Sequence, residues 1–301
     1  MTLADWLGSH PFLEPIARVR ARIDDAIGDA GSATVAVPGG IWDQYTDDFA
    51  TGVPFLRSCD AAIDLEPAGR RIVAAMERLA WDPAGGFLAE EARVLIAELD
   101  GASEPPPRLV VEWLLGDDQW QPPAGGLLRC VGWLAMSASL QPLLDASARW
   151  RDDDRWLRRY CPTCGSLPAM GQLAGRDPSR RRLLSCGCCG SRWRFGRTTC
   201  PYCETQSHRL AGHAIEGEGG LRIDYCEACH VYLKTYDGEG DEAVLLADWT
   251  SIHLDVVAHD RGLQRVVASS LYDLDTTTAH GPTAFGGNSG VAEPRRVASL
   301  T

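Results

Sequence analysis

The chain has 301 residues, 45% of them hydrophobic and 23% charged, with a formal net charge of −12. This length suits two domains, or one domain with appendages, and the composition is that of a globular protein rather than a disordered or fibrous one. The acidic balance argues against general attraction of the whole molecule to nucleic acid or to an anionic membrane surface.

In chain order, residues 1–158 read as an all-helical domain. Ile16, Val19, Ile23 and Ile27 step along one face, as do Ile72, Val73, Met76, Leu79 and Ala80. Leu88, Ala92, Leu95, Ile96 and Leu99 give the strongest helical period in the chain. Residues 29–60, with Pro38-Gly39-Gly40 and several aromatics, read as a loop. Pro105-Pro106-Pro107 and residues 121–126 mark breaks, and Gly85/Gly86 and Gly125/Gly126 mark turns. The apolar run at 127–144 is interrupted by Arg129, Gln141 and Pro142, so a buried helix is expected there and not a membrane span. Cys59 and Cys130 lie in apolar surroundings and are expected to be small core residues. The amino terminus lacks a basic segment followed by an apolar core, which together with many reduced-looking thiols predicts a cytoplasmic protein. Asp117/Asp118, Asp152–Asp154 and the seven histidines show no spacing that marks acid–base catalysis, and no phosphate-binding glycine loop is present, so no enzyme activity is expected.

The informative region follows. Cys161/Cys164, Cys186/Cys189, Cys200/Cys203 and Cys226/Cys229 are four Cys-x-x-Cys pairs; 21 residues separate the first two pairs and 22 the last two. About 40 residues have therefore been repeated, giving ribbons at 159–198 and 199–242. Two residues between cysteines let one tight turn bring both sulfurs onto one ion, and a second turn carried over by a hairpin completes a tetrahedron. Proline after Cys161 and Cys200 fixes φ, and Gly165 and Gly190 suit a left-handed backbone after the second ligand, the knuckle of zinc ribbons and rubredoxins. The reading assigns Cys161, Cys164, Cys186 and Cys189 to one metal site and Cys200, Cys203, Cys226 and Cys229 to another. Four thiolates suit zinc or a single iron, and either ion would be saturated, leaving no open position for substrate. Cys188 aligns with Ala228 in the second copy and is read as a bystander. Trp193 and Leu233, each four residues past the last cysteine of its copy, are expected to cover the sites.

Asp248 opens a further helix within 243–275, with Trp249, Ile252, Val256 and Val257 on one face and Gly262 closing it; residues 276–301, rich in Gly, Thr, Ser and Pro, read as a disordered tail. The expected fold class is α+β: an N-terminal all-helical domain, two tandem rubredoxin-like or zinc-ribbon modules of four cysteines each, and a C-terminal helix.

Cys161-Pro-Thr-Cys164-Gly165-Ser166, Leu184-x-Cys186-x-x-Cys189-Gly190-x-x-Trp193, Arg197-x-x-Cys200-x-x-Cys203 and Cys226-x-x-Cys229-x-x-Tyr232-Leu233-Lys234, followed by the acidic helix from Asp248 to Asp260, resemble the FdhE family of formate dehydrogenase accessory proteins. The resemblance covers about 160–262; Glu204 and His230 stand where the family has glycine, and the usual Asn-Pro ending after Gly262 is missing. It implies a non-enzymatic cytoplasmic maturation factor that binds the catalytic subunit of formate dehydrogenase, with rubredoxin-like centres that have been associated with iron. Homo-oligomerisation stays open. Two alternatives accompany it. A nucleic-acid-binding zinc ribbon is suggested by 13 arginines against five acids between Arg149 and Arg209, Arg180-Arg181-Arg182 among them, with Trp193 and Phe195 available for stacking. A rubredoxin-like iron redox partner of the same enzyme is the other.

Overall fold

The computed structural model describes residues 1–266, apart from 32, 33, 38, 60, 61, 118, 177, 207, 208 and 241. Pro38, Asp118 and the expected tail at 276–301 lie outside the described residues.

Helix α1 (Leu3–Ser9) starts from a capping box in which Asp5 N donates to Thr2 Oγ1 at 3.1 Å and Thr2 N donates to Asp5 Oδ2 at 3.0 Å. A 3-10 turn at Pro11–Leu13 then leads into α2 (Glu14–Asp29). Helices α3 (Ile41–Thr51), α4 (Phe55–Ser58), α5 (Glu66–Ala80), α6 (Phe87–Asp100), α7 (Pro106–Leu114), α8 (Gly125–Trp150) and α9 (Asp153–Trp156) complete the helical half. Helix α5 is central, packing on α2, α6, α7 and α8. Its Gly69 lets the α7 backbone close in: a Cβ there would sit 2.1 Å from the Pro107 carbonyl oxygen.

The stretch read as a loop between 29 and 60 instead holds α3 and α4. Gly40 and Gly52, at φ +74° and +93°, are the caps of α3 and bound it instead of breaking it. Between them Ile41, Tyr45 and Phe49 recur at helical spacing and are buried. Helix α8 is the one helix among the described residues long and apolar enough to cross a membrane; 61% of its apolar window is buried inside the protein.

Six strands follow: β1 (Pro168–Ala174), β2 (Arg181–Cys186), β3 (Arg192–Phe195), β4 (Leu210–Ala214), β5 (Leu221–Cys226) and β6 (Tyr232–Asp237). They form one sheet in the order β3-β2-β1-β6-β5-β4. Each repeat contributes a three-stranded antiparallel half, and the halves join where β1 runs parallel to β6, pairing Gly171 with Thr235 and Leu173 with Asp237. Gly171 belongs to this seam because a Cβ would meet Thr235 Oγ1 at 2.9 Å and Leu233 Cδ2 at 3.0 Å. The first strand of copy one thus meets the last strand of copy two, a head-to-tail contact and not a two-fold one.

Two apolar cores result. The larger combines the helices with Cys161, Cys164, Leu184, Cys186, Cys188, Cys189, Trp193 and Phe195. The smaller joins Leu221, Ile223, Tyr232 and Tyr236 of the second ribbon to Trp6 and Leu13 from the amino terminus and to Leu245, Leu254 and Ala258 from the carboxyl side. The first helix therefore packs on the second ribbon, and Trp6 Nε1 ties it to the 3-10 turn that follows by donating to the Thr250 carbonyl at 3.0 Å.

After β6, α10 (Ala243–Leu246), a 3-10 turn at Asp248–Ser251 and α11 (His253–Asp260) replace the single helix expected from Asp248. The buried face of α11 is Leu254, Asp255 and Ala258, whereas Val256 is 56% exposed. Of the expected face, Trp249, Ile252 and Val257 are partly buried against the cores and only Val256 turns outward, because the 3-10 turn, at three residues per turn, rotates the register. Gly262, at φ +71°, ends the segment as expected.

Candidate metal centres

All four Cys-x-x-Cys turns share one hydrogen-bond pattern. The residue after the second cysteine donates to the carbonyl of the first: Gly165 to Cys161 at 3.0 Å, Gly190 to Cys186 at 3.2 Å, Glu204 to Cys200 at 3.0 Å and His230 to Cys226 at 2.8 Å. The first cysteine in turn donates its N–H to the carbonyl five residues on: Cys161 to Ser166, Cys186 to Ser191, Cys200 to Thr205 and Cys226 to Val231, at 2.8–3.0 Å. This geometry places the residue after each pair in the left-handed region. Gly165 and Gly190 take φ +84° and +75°, and Glu204 and His230 take +60° and +57°. The loss of two glycines leaves the turn intact at the cost of backbone strain.

The turns deliver the sulfurs in two sets. Sγ separations are 3.5 Å for Cys161–Cys189 and 3.4 Å for Cys164–Cys186 in the first, and 3.9 Å for Cys200–Cys229 and 3.7 Å for Cys203–Cys226 in the second. Within each set all four sulfurs lie within 4.8 Å of one another. A tetrahedron with metal–sulfur bonds of about 2.3 Å has edges of roughly 3.8 Å, whereas a disulfide would need about 2.05 Å. None of these eight cysteines is in a disulfide, and the donor set fits a tetrahedral thiophilic ion. Backbone amides turn toward sulfur as expected, Thr163 N to Cys161 Sγ at 3.3 Å and Tyr202 N to Cys200 Sγ at 3.4 Å.

Protonation follows from crowding. In the first set, the neighbouring thiols Cys161, Cys186, Cys188 and Cys189 donate to Cys164 and hold it well below the usual thiol range. Their proximity to sulfur, together with burial, pushes Cys186, Cys188 and Cys189 well above it. Without a cation the low value at Cys164 is thus matched by raised values at Cys186, Cys188 and Cys189. In the second set, burial raises Cys229, while hydrogen bonds from Thr205 and from the Cys229 and Cys200 sulfurs outweigh partial burial at Cys203 and bring it down to about 7. A divalent ion would release those protons on binding.

The surroundings differ. All four sulfurs of the first set are buried in the main core, whereas in the second Cys203 is exposed and Cys229 half-buried. The helical body grips the first knuckle directly. Phe55 N donates to the Pro162 carbonyl at 2.8 Å, Leu56 N to that of Thr163 at 2.9 Å, and Tyr45 Oη to that of Pro162 at 3.2 Å. Those contacts come from α3 and α4, the elements the sequence reading missed; the spacing of Ile41, Tyr45 and Phe49 was the available signal. Trp193, buried, donates from Nε1 to the Arg158 carbonyl at 2.9 Å, and Leu233 is buried in the equivalent place. Cys188 is fully buried, with its thiol directed to Cys164 and outside the four-sulfur group. Cys59 and Cys130 are buried in the main core.

The arginines concentrated here are largely engaged. Arg180 pairs with Asp237, Arg194 with Asp154, Arg151 with Asp153, and Arg222 with Asp224 at 2.7 Å. Arg182 is 5% exposed and donates to the Thr199 carbonyl at 3.2 Å. Arg180, Arg182, Arg197 and Arg222 line a cavity of about 240 Å³ beside Cys200 and Cys226.

Fold and site together define a class: an α+β protein in which a helical body and one six-stranded sheet carry two four-cysteine clusters suited to metal ions. No protein-family model matches the chain. It is 32% identical over 139 residues to the FdhE homologue of Pectobacterium carotovorum, covering 44% of each chain. It is 30% identical over 139 residues to FdhE of Escherichia coli, again 44% of each, and 30% identical over 119 residues to the Aquifex aeolicus homologue. The similarity thus spans less than half the length of these curated relatives. The crystal structure of FdhE from Pseudomonas aeruginosa has the same fold, with a TM-score of 0.57 at 20% identity over 87% of this chain and 88% of that one. The chain is thus similar in sequence to FdhE proteins over part of its length and shares the fold of one of known structure.

Proposed function

We propose that the protein is a formate dehydrogenase accessory factor that binds the immature catalytic subunit of that enzyme and supports its activation, without catalysis of its own. The observation that carries this reading is the pair of closed four-cysteine clusters on an FdhE fold. Cys161, Cys164, Cys186 and Cys189 are proposed to hold one ion, and Cys200, Cys203, Cys226 and Cys229 the other. Either ion, zinc or iron, has all its positions taken by sulfur, which suits architecture or electron transfer better than hydrolysis. The N-terminal helical domain, the two ribbons and the C-terminal segment act as one recognition body in the cytoplasm.

The test is genetic and biochemical. Deleting the gene should abolish formate dehydrogenase activity, with the catalytic subunit still made, and tagged protein should capture that subunit. Full enzyme activity in the deletion strain would refute the proposal. A redox role in the same setting is favoured by one feature, the exposure of Cys203 at the outer edge of the second cluster. Visible absorption that bleaches on reduction supports it; a colourless, zinc-loaded protein removes it. The nucleic-acid alternative is weakened at Arg180 and Arg182, which are engaged within the fold, whereas Arg176 and Arg181 are exposed.

A further inference from the structure

We propose that His10, Glu218 and His253 form a third metal site, for a single divalent cation of the zinc class, separate from both sulfur clusters. The residues come from three distant parts of the chain. His10 is the C-cap of α1, Glu218 lies in the turn between β4 and β5, and His253 is the first residue of α11. They converge on one point. Glu218 Oε2 is 3.2 Å from His10 Nε2 and 2.8 Å from His253 Nε2, and the three donor atoms lie within 4.8 Å of one another. A tetrahedral ion with bonds of about 2.0–2.1 Å to nitrogen and oxygen separates its donors by roughly 3.3 Å, close to the 3.2 Å between Glu218 and His10 and about half an ångström beyond the 2.8 Å between Glu218 and His253.

The hydrogen bonding of His10 points the same way. Its Nδ1 is 2.9 Å from the Trp6 carbonyl oxygen. A carbonyl has no proton to offer, so Nδ1 carries the hydrogen and Nε2 of the neutral ring presents a bare lone pair to Glu218. Two lone pairs facing each other at 3.2 Å in a shielded place need a proton or a cation between them. A ring N–H anchored on a backbone carbonyl, which leaves the other nitrogen unprotonated for a metal, is how proteins orient metal-binding histidines. Shielding is appropriate too: His10 is buried, and the Glu218 and His253 side chains are 14% and 18% exposed. Trp6 stacks on His10 at 3.8 Å, and Phe12 meets both imidazoles edge-on at 5.7 and 5.2 Å, giving the site apolar walls.

Two imidazoles and one carboxylate suit zinc, and leave at least one position of a tetrahedral ion for water or another ligand. In that respect this centre differs from the two saturated clusters. It would also clamp the amino terminus onto the second ribbon, since its ligands tie α1 to β4–β5 and α11. A hydrogen-bonded His–Glu–His staple without metal would clamp the same elements, and the experiment separates the two.

Full-length protein with both sulfur clusters filled is passed over a chelating resin and titrated with Co²⁺ and, separately, with Zn²⁺. The expected result is one further equivalent, with cobalt showing ligand-field absorption but no new sulfur-to-cobalt charge-transfer band. Glu218→Gln and His253→Gln should each weaken this uptake at least tenfold, while the metal content of the clusters and the near-ultraviolet circular dichroism stay unchanged. Absence of a further equivalent in the wild-type protein establishes the metal-free staple and overturns the proposal. So does uptake with sulfur charge-transfer bands, or uptake unchanged in Glu218→Gln. If His253→Gln fails to fold, the wild-type spectrum and Glu218→Gln decide the matter.

Discussion

Lys234, the chain's single lysine, is 1% exposed and lies between two carboxylates, with its Nζ 2.8 Å from both Asp248 Oδ1 and Asp255 Oδ2. Arg265 bridges the same pair, and Tyr232 donates to Asp255 at 2.6 Å. Two cations thus meet two anions, and removing one member strands a charge. Lys234→Met should cost about 3–5 kcal/mol, read as a lower denaturant midpoint, whereas a change of that size in neither midpoint nor slope would contradict the network. Burial pushes Asp248 up, but Arg265 and Lys234 outweigh it and hold the carboxyl below the usual range. Its stabilisation is therefore present above the unfolded value of about 3.9 and lost as pH falls through the lower folded one. Acid titration of wild-type protein should show stability declining in that strongly acidic window, and Asp248→Asn should flatten the decline. Cys188 presents a different residue-scale prediction. As a thiol beside Cys164 and outside the four-sulfur group, its replacement by Ser should leave metal content at the wild-type value by elemental analysis. The cysteines were legible in sequence because a knuckle is local: two residues of spacing and a following turn specify it. The Lys234 network was not legible in those terms, because its members are as distant in the chain as Tyr232 and Arg265 and meet only through the packing of α11 on β6.

At the scale of elements, the two ribbons share strand order and turn chemistry but not surroundings. The first has α3 and α4 hydrogen-bonded to its knuckle and an aromatic cluster behind it, Trp42 on Phe55 at 4.8 Å and Phe49 on Trp156 at 5.0 Å. The second leaves Cys203 exposed. Metal should accordingly leave in two steps. A chelator should strip the second site first, with the larger core still protected in amide exchange, and the first site only on global unfolding. Simultaneous loss would contradict the difference in shielding. Helices α2, α5 and α6 were readable from apolar periodicity, and α8 from its apolar run. Helix α3 was obscured because its capping glycines resembled chain breaks, and α11 lost its phase to a preceding 3-10 turn.

Across the whole molecule, duplication has produced one continuous sheet. The seam of β1 with β6 and the return of α1 to the second ribbon link parts that are far apart in sequence, and neither contact leaves a periodic trace. What the repeat did announce is the sulfur grouping, and the account rests on it. The most direct measurement is elemental analysis, after passage over a chelating resin, of wild-type protein and of variants with Cys164→Ala or Cys226→Ala. The prediction is two tightly held ions in the wild type and one in each variant, with the helical half still folded when Cys226 is replaced. Two ions retained in either variant, or both lost together on replacing Cys226, would contradict two independent four-cysteine sites.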